Sequence, residues 1–123
     1  WGLTASYSVK GYNAHMPSND HGVITPTAAL SSYPYTPEES SKALKHFYFN
    51  LGDSIWGKYG FYDAFSEGEN WYPRRYLAID QCTIAPMLEN YRTGLLWRLF
   101  MSCPEIQDGL KKLGFTIHNA RES

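Results

Sequence analysis

The residues between Trp56 and Gln81 are the ones whose types and spacing could do chemistry. Four carboxylates lie there, Asp63, Glu67, Glu69 and Asp80. Eight of the 21 residues from 56 to 76 are aromatic: Trp56, Tyr59, Phe61, Tyr62, Phe65, Trp71, Tyr72 and Tyr76. A sugar ring offers a flat apolar C–H face and a rim of hydroxyls. Flat aromatics suit the face, and acids with amides suit the rim. Two acids flanking a scissile bond are also the usual machinery of glycoside hydrolysis. An aromatic core with a solvated acidic loop would use the same residues, and composition alone does not separate the two readings.

Asp80 is the leading candidate for a catalytic carboxylate. It sits where an irregular segment meets the start of an apolar helix, next to Gln81. As an N-cap it would satisfy free backbone N–H groups. Cap and helix dipole together would lower its pKa, which suits a base or a charge stabiliser. An inverting reaction needs a second carboxylate roughly 6.5–9.5 Å away, and that partner is expected outside this chain. Asp63 and Tyr62 lie in the aromatic stretch and are candidates for sugar contact. Glu67 flanks Gly68 on an expected loop tip, as does Glu69. Trp71 and Tyr72, just before Pro73, are candidates for a stacking platform, although core packing is the commoner fate of such side chains. Glu89 and Arg92, three apart, read as a structural ion pair on the long helix.

Stepping outward, the elements that must position these groups are mostly helical. Residues 1–24 carry Gly, Asn, Ser, Asp and Pro at short intervals and read as ordered loop with a short hairpin near Tyr12. Thr25-Pro26 opens a short helix through about Ser31. Thr36-Pro37-Glu38-Glu39 spells a capping box for a second helix, expected to run to Leu51 and stop at Gly52. Its apolar stripe is Ala43, Leu44, Phe47, Tyr48 and Leu51. Asp53 to Ile79 is long for a loop without structure of its own, and such loops tend to be functional. A third helix is expected from Asp80–Thr83 to Met101, with Pro86 in its first turn. Its latter half, Leu95 to Met101, is apolar nearly all round, so it should be enclosed by protein. A last helix runs from Pro104 to Leu113, stopped by Gly114, before a polar tail, Asn119–Ser123, that is expected to fray.

A half-wet helix alternating with an enclosed one implies two helical layers. Four helices cannot surround the third by themselves. The 123 residues are therefore expected to be a piece of a larger helical domain, or to pack against another chain. The start, Trp1-Gly2-Leu3, lacks Met and the basic and apolar regions of a signal peptide, as in a mature or truncated product.

Charge and cysteine usage exclude other classes. Eleven basic and 12 acidic side chains give a net charge of −1, which is no footprint for nucleic acid. No apolar run approaches the roughly 20 residues of a membrane span. Cys82 and Cys103 would lie about 30 Å apart along a continuous helix, far beyond disulfide reach. Both are expected free and largely buried. The histidines show no ligand spacing, so neither a metal nor a cofactor is expected.

Several blocks are similar to one bacterial family, the glycoamylase-like proteins, whose characterised members act on β-1,2-glucan. The blocks are Trp1-Gly-Leu-Thr-Ala-Ser6, Ile24-Thr-Pro-Thr-Ala-Ala-Leu30, Tyr35-Thr-Pro-Glu-Glu-Ser40, Tyr59-Gly-Phe-Tyr-Asp-Ala-Phe65, Tyr76-Leu-Ala-Ile-Asp-Gln81 and Glu89-Asn-Tyr-Arg-Thr-Gly-Leu-Leu-Trp97. The resemblance implies an all-α fold, an (α/α)6 barrel, of which residues 1–123 would be a C-terminal fragment with a long irregular loop region. It implies a glycoside hydrolase using carboxylate acid/base chemistry, a glucan or oligosaccharide as partner, and a periplasmic or extracellular location. The remainder of the domain would supply most of the barrel and the other acid. Trp1, which opens the first block, is expected to face the cleft, and Gln81 to meet substrate beside Asp80. A related domain in cyclic β-1,2-glucan synthases makes transglycosylation an alternative, and a non-catalytic carbohydrate-binding module is another. One departure from the family pattern follows Gln81: a Gly-Pro type step is expected, whereas the chain has Cys82-Thr83 and places its proline at Pro86.

Overall fold

A computed structural model of the protein describes residues 2–116. Trp1 and the tail Asn119–Ser123, both assigned above, lie outside the described residues. The chain opens with a hairpin near Tyr12, as its turn residues predict: β1 (Ala5–Ser8) pairs antiparallel with β2 (Gly11–Ala14). Gly11, at φ 112°, supplies the backbone conformation that the turn demands. Next come α1 (Pro26–Leu30) and α2 (Pro37–Lys45), each with proline in its first turn, where a missing N–H costs nothing.

Neither threonine cap forms as expected. Thr25 is fully buried and its hydroxyl has no partner. Thr36 turns its hydroxyl back to donate to the Ser32 carbonyl at 3.2 Å, so the side-chain half of the capping box is absent. The second helical run reaches Asn50, close to its expected end, but Gly52 is not its left-handed stop. The run loosens into a π-helical turn, His46–Asn50, and a short α3 (Gly52–Ile55) begins at that glycine instead. Of the expected stripe, Ala43 and Phe47 are buried, Leu44 and Leu51 pack partly against the core, and Tyr48 is half exposed.

The loop from Asp53 onward is tighter than its composition predicts. β3 (Trp56–Gly57) and β4 (Gly60–Phe61) form a second small hairpin, and Ser66 pairs with Trp71 around the turn that carries Glu67 to Asn70. Ile24 and Phe65 exchange backbone hydrogen bonds of 2.8 and 2.9 Å, fastening this loop to the N-terminal segment. The chain is therefore helix-rich but not purely α-helical.

The core sits where this loop meets α1 and α2. Phe47, at 0% exposure, takes Phe61 and Phe65 edge-on, with ring centroids 5.9 and 5.7 Å away. Ala29, Leu30, Ala43 and Ile55 complete the cluster. Such T-shaped pairs align ring edges with π faces and add to the area each ring buries.

The expected long third helix is three pieces: α4 (Ala78–Gln81), α5 (Ile84–Thr93) and α6 (Leu95–Met101). Cys82 and Thr83 separate the first two, and Pro86 falls in the first turn of α5 as expected. Gly94, in the left-handed region at φ 66°, separates the last two. Asn90 makes that break stable: buried within α5, it accepts from the backbone N–H groups of Leu96 and Trp97 at 3.0 and 3.1 Å, supplying the free first turn of α6. The last helix, α7 (Pro104–Lys112), ends near Gly114 at φ 81°.

One burial expectation is corrected. Cys82 and Cys103 are free but exposed, because each lies in a short connection between helices rather than inside one continuous helix. The apolar surface of α6 is not enclosed within this chain: Leu99 and Phe100 are 58% and 59% exposed. Glu89 and Arg92 do pair, at 3.0 Å, on the surface of this chain. The Thr93 hydroxyl, and then Arg92, lower the Glu89 pKa by hydrogen bonding to the ionised form. Among the described residues, no helix is long and apolar enough to cross a membrane.

Candidate functional site

Asp80 is positioned by two elements. α4 is a single turn, and Asp80 occupies its third residue, not its N-cap. Its carbonyl accepts from the hydroxyl of Thr83 at 2.8 Å and from that of Thr27 on α1. The hydroxyl oxygens of Thr27, Ser31 and Thr83 lie 2.8 to 3.1 Å from one another, and the Ser31 hydroxyl can donate to either threonine. This hydroxyl cluster ties α1 to the junction of α4 and α5. Thr83 stands where a Gly-Pro step was expected, so the departure from the family pattern supplies a hydroxyl to the anchor.

The same residues wall a hollow of about 380 Å³, lined by Leu3, Thr4, Thr27, Ser31, Ile79, Asp80 and Thr83 among others. A mainly apolar hollow of about 450 Å³ adjoins it through Leu3, Ala28 and Ser32 and contains Glu39. Of the described sequence candidates, Asp80 is the one that lines either hollow.

The electrostatics of Asp80 reverse the sequence expectation. Its pKa is raised to about 7, first by burial and then by the Asp63 carboxyl within hydrogen-bonding reach. Burial removes the water that would stabilise a carboxylate, and a second carboxylate beside it opposes ionisation. The cap and dipole argument fails because the side chain does not cap the helix.

Asp63 is 1% exposed, beneath the surface of this chain. Its Oδ2 accepts the Tyr7 N–H at 2.9 Å, and its own N–H donates to the Arg75 carbonyl at 2.8 Å. Among the described residues, five buried side-chain atoms lack a partner, and three of them belong to Asp63 (Oδ1), Asp80 (Oδ2) and its neighbour Gln81 (Nε2). Unsatisfied buried polar atoms are rare in native proteins and mark places where a proton or ligand belongs.

The remaining candidates lie elsewhere. Glu67 is on the exposed turn and faces His46 at 3.4 Å. Tyr62 packs on Tyr76 with centroids 5.1 Å apart. Gly57 lies so close to both hydroxyls that only a residue without Cβ fits. Tyr72 stacks flat on the core residue Phe65, 8° from parallel. Trp71 closes the base of the turn with backbone bonds of 2.9 Å to Ser66. Phe61, Phe65 and Tyr72 thus build or brace the core, since ring area is worth more buried than wet. Sequence reasoning missed Thr27, Ser31 and Thr83 as site residues. Their one signal was the Thr25-Pro-Thr block, read there as a helix start.

Comparison with known proteins gives a consistent result. The family model described as "Putative glucoamylase" matches residues 1–104. A curated relative from Parabacteroides distasonis, an exo β-1,2-glucooligosaccharide sophorohydrolase acting at the non-reducing end, is 49% identical over 92% of this chain and 16% of its own length. The endo-β-1,2-glucanase of Chitinophaga pinensis, solved with sophorotriose and glucose, is 70% identical, with a TM-score of 0.88 over 92% of this chain and 28% of its own. A "putative glucoamylase" crystal structure from Bacteroides uniformis is 65% identical, with a TM-score of 0.92 over 94% of this chain and 28% of its own. The chain therefore spans well under a third of each of these relatives. From residue 1 to residue 104 this chain belongs to the glycoamylase family.

Proposed function

We propose that this chain is the C-terminal part of the catalytic (α/α)6 barrel of a glycoside hydrolase that cleaves β-1,2-linked glucan, with Asp80 as a proton-transferring carboxyl. The observation that carries the reading is Asp80 itself. It lines a hydroxyl-walled hollow and ionises near pH 7, in a chain 49% identical to a β-1,2-glucooligosaccharide sophorohydrolase. Proton transfer is most efficient when the group's pKa lies near the working pH. The second carboxylate comes from polypeptide outside this chain. Asp63 is too close to serve, because both glycosidase geometries separate their carboxyls by roughly 5 Å or more. The exposed apolar side chains of α6 are then the seam against the rest of the barrel.

The test is product release by the full-length protein from linear β-1,2-glucan and from starch, side by side. Shortened β-1,2-glucooligosaccharides, and nothing from starch, are expected. Binding of β-1,2-glucan without bond cleavage would replace this reading with a binding module. Products longer than the substrate would replace it with a transglycosylase.

A further inference from the structure

Asp63 is a buried titratable group that the reaction chemistry above leaves unused. It is held from two sides by backbone: the Tyr7 N–H on β1 donates to its Oδ2, and its own N–H is tied to the Arg75 carbonyl. Its second oxygen is buried and unpartnered, as is Oδ2 of Asp80. Two ionised carboxylates in this contact would repel, and each would keep an orphan acceptor. One proton between them removes both problems. Oδ2 of Asp63 already accepts the Tyr7 N–H, so the shared proton is assigned to Asp80, with Oδ1 of Asp63 as its acceptor.

We infer that Asp63 is a positioning residue: anchored by the Tyr7 backbone, it accepts the Asp80 O–H and so fixes both the orientation and the protonation of the reactive carboxyl. This rests on the role of Asp80 proposed above. The surroundings add no competing charge. α1 and the start of α5 present the hydroxyls of Thr27, Ser31 and Thr83. The Arg75 guanidinium lies over the Tyr7 ring, 5.3 Å from its centre. Among the described residues, no ion pair is formed by either aspartate. The raised pKa of Asp80, with Asp63 among its causes, agrees with the same assignment.

The experiment titrates the protonated-carboxyl infrared band of the full-length protein, assigned to Asp80 by subtracting the spectrum of Asp80→Asn. In the wild type the band should persist to near pH 7. In Asp63→Asn, whose amide N–H donates to an ionised Asp80 instead, it should vanish at least about one pH unit lower, since the like charge is gone. The corresponding limb of the kcat/KM profile should move with it. An unmoved band in Asp63→Asn would overturn the inference. So would a wild-type band already lost in the ordinary aspartate range, a result that does not depend on the variant folding. Because the band is read without substrate, it separates this inference from the catalytic role: full activity in Asp80→Asn would remove the role and leave the pairing standing.

Discussion

Replacing Asp80 by Asn in the full-length protein keeps the side chain's shape and removes its titration. General acid–base catalysis by a positioned group is worth about 10²–10⁴-fold in rate, or about 2.7–5.5 kcal/mol at 1.36 kcal/mol per tenfold. With the Asp80 pKa at about 7, about half the molecules carry its proton at pH 7. The wild-type kcat/KM profile should therefore have a limb centred there, and Asp80→Asn should lose that limb along with at least about 10²-fold of its turnover. A limb falling toward alkaline pH identifies Asp80 as proton donor, and one falling toward acid identifies it as acceptor. Stability supplies an internal control. The folded pKa is raised above the model value of 3.8, so the native state binds this proton more tightly than the unfolded chain does. That contribution is fully present below about pH 4 and is lost as pH rises through about 7. Asp80→Asn should thus gain thermal stability relative to wild type as pH rises through this range. Near-normal hydrolysis of β-1,2-glucan by Asp80→Asn, with the limb still near pH 7, would refute the reasoning.

Other perturbations follow from the same contacts. Thr27→Val should cost about 1–2 kcal/mol, because a buried hydroxyl serving Asp80, Thr83 and Ser31 is lost; thermal melting of the full-length protein measures this, and Thr27→Ser should restore most of it. Phe47→Ala should destabilise by about 3–5 kcal/mol by opening a cavity between Phe61 and Phe65, read from urea denaturation midpoints. Gly57→Ala should cost about 1–3 kcal/mol as the new methyl displaces the Tyr62 and Tyr76 hydroxyls, with a matching change in near-ultraviolet circular dichroism. The isolated 123-residue chain should self-associate through Trp97, Leu99 and Phe100, which it leaves 42%, 58% and 59% exposed; sedimentation of a stable, cooperatively folding monomer would contradict this.

The sequence by itself determined what depends on local rules. Pro26, Pro37 and Pro104 opened helices because proline's fixed φ suits a first turn. Gly11 turned the first hairpin, and the apolar run of α6 announced a face that this chain alone cannot cover. Family membership was also legible, since short blocks of fixed residue order carry it. Tertiary structure decided everything that needed two distant segments together. The burial of aromatic rings set Phe61 and Phe65 edge-on against Phe47 and stacked Tyr72 on Phe65, so these rings of the aromatic stretch build the core. Gly94 and Asn90 broke a helix whose periodicity looked continuous, because the Asn90 side chain replaced backbone acceptors for Leu96 and Trp97, six and seven residues on. Asp80 kept its place in the site but changed its chemistry. It lies 17 positions after Asp63 in the chain, and pattern gives no hint that the two carboxyls meet. Their contact, with the loss of water around them, sets the pKa; only the folded arrangement of the N-terminal strand, the loop and α4 brings them there.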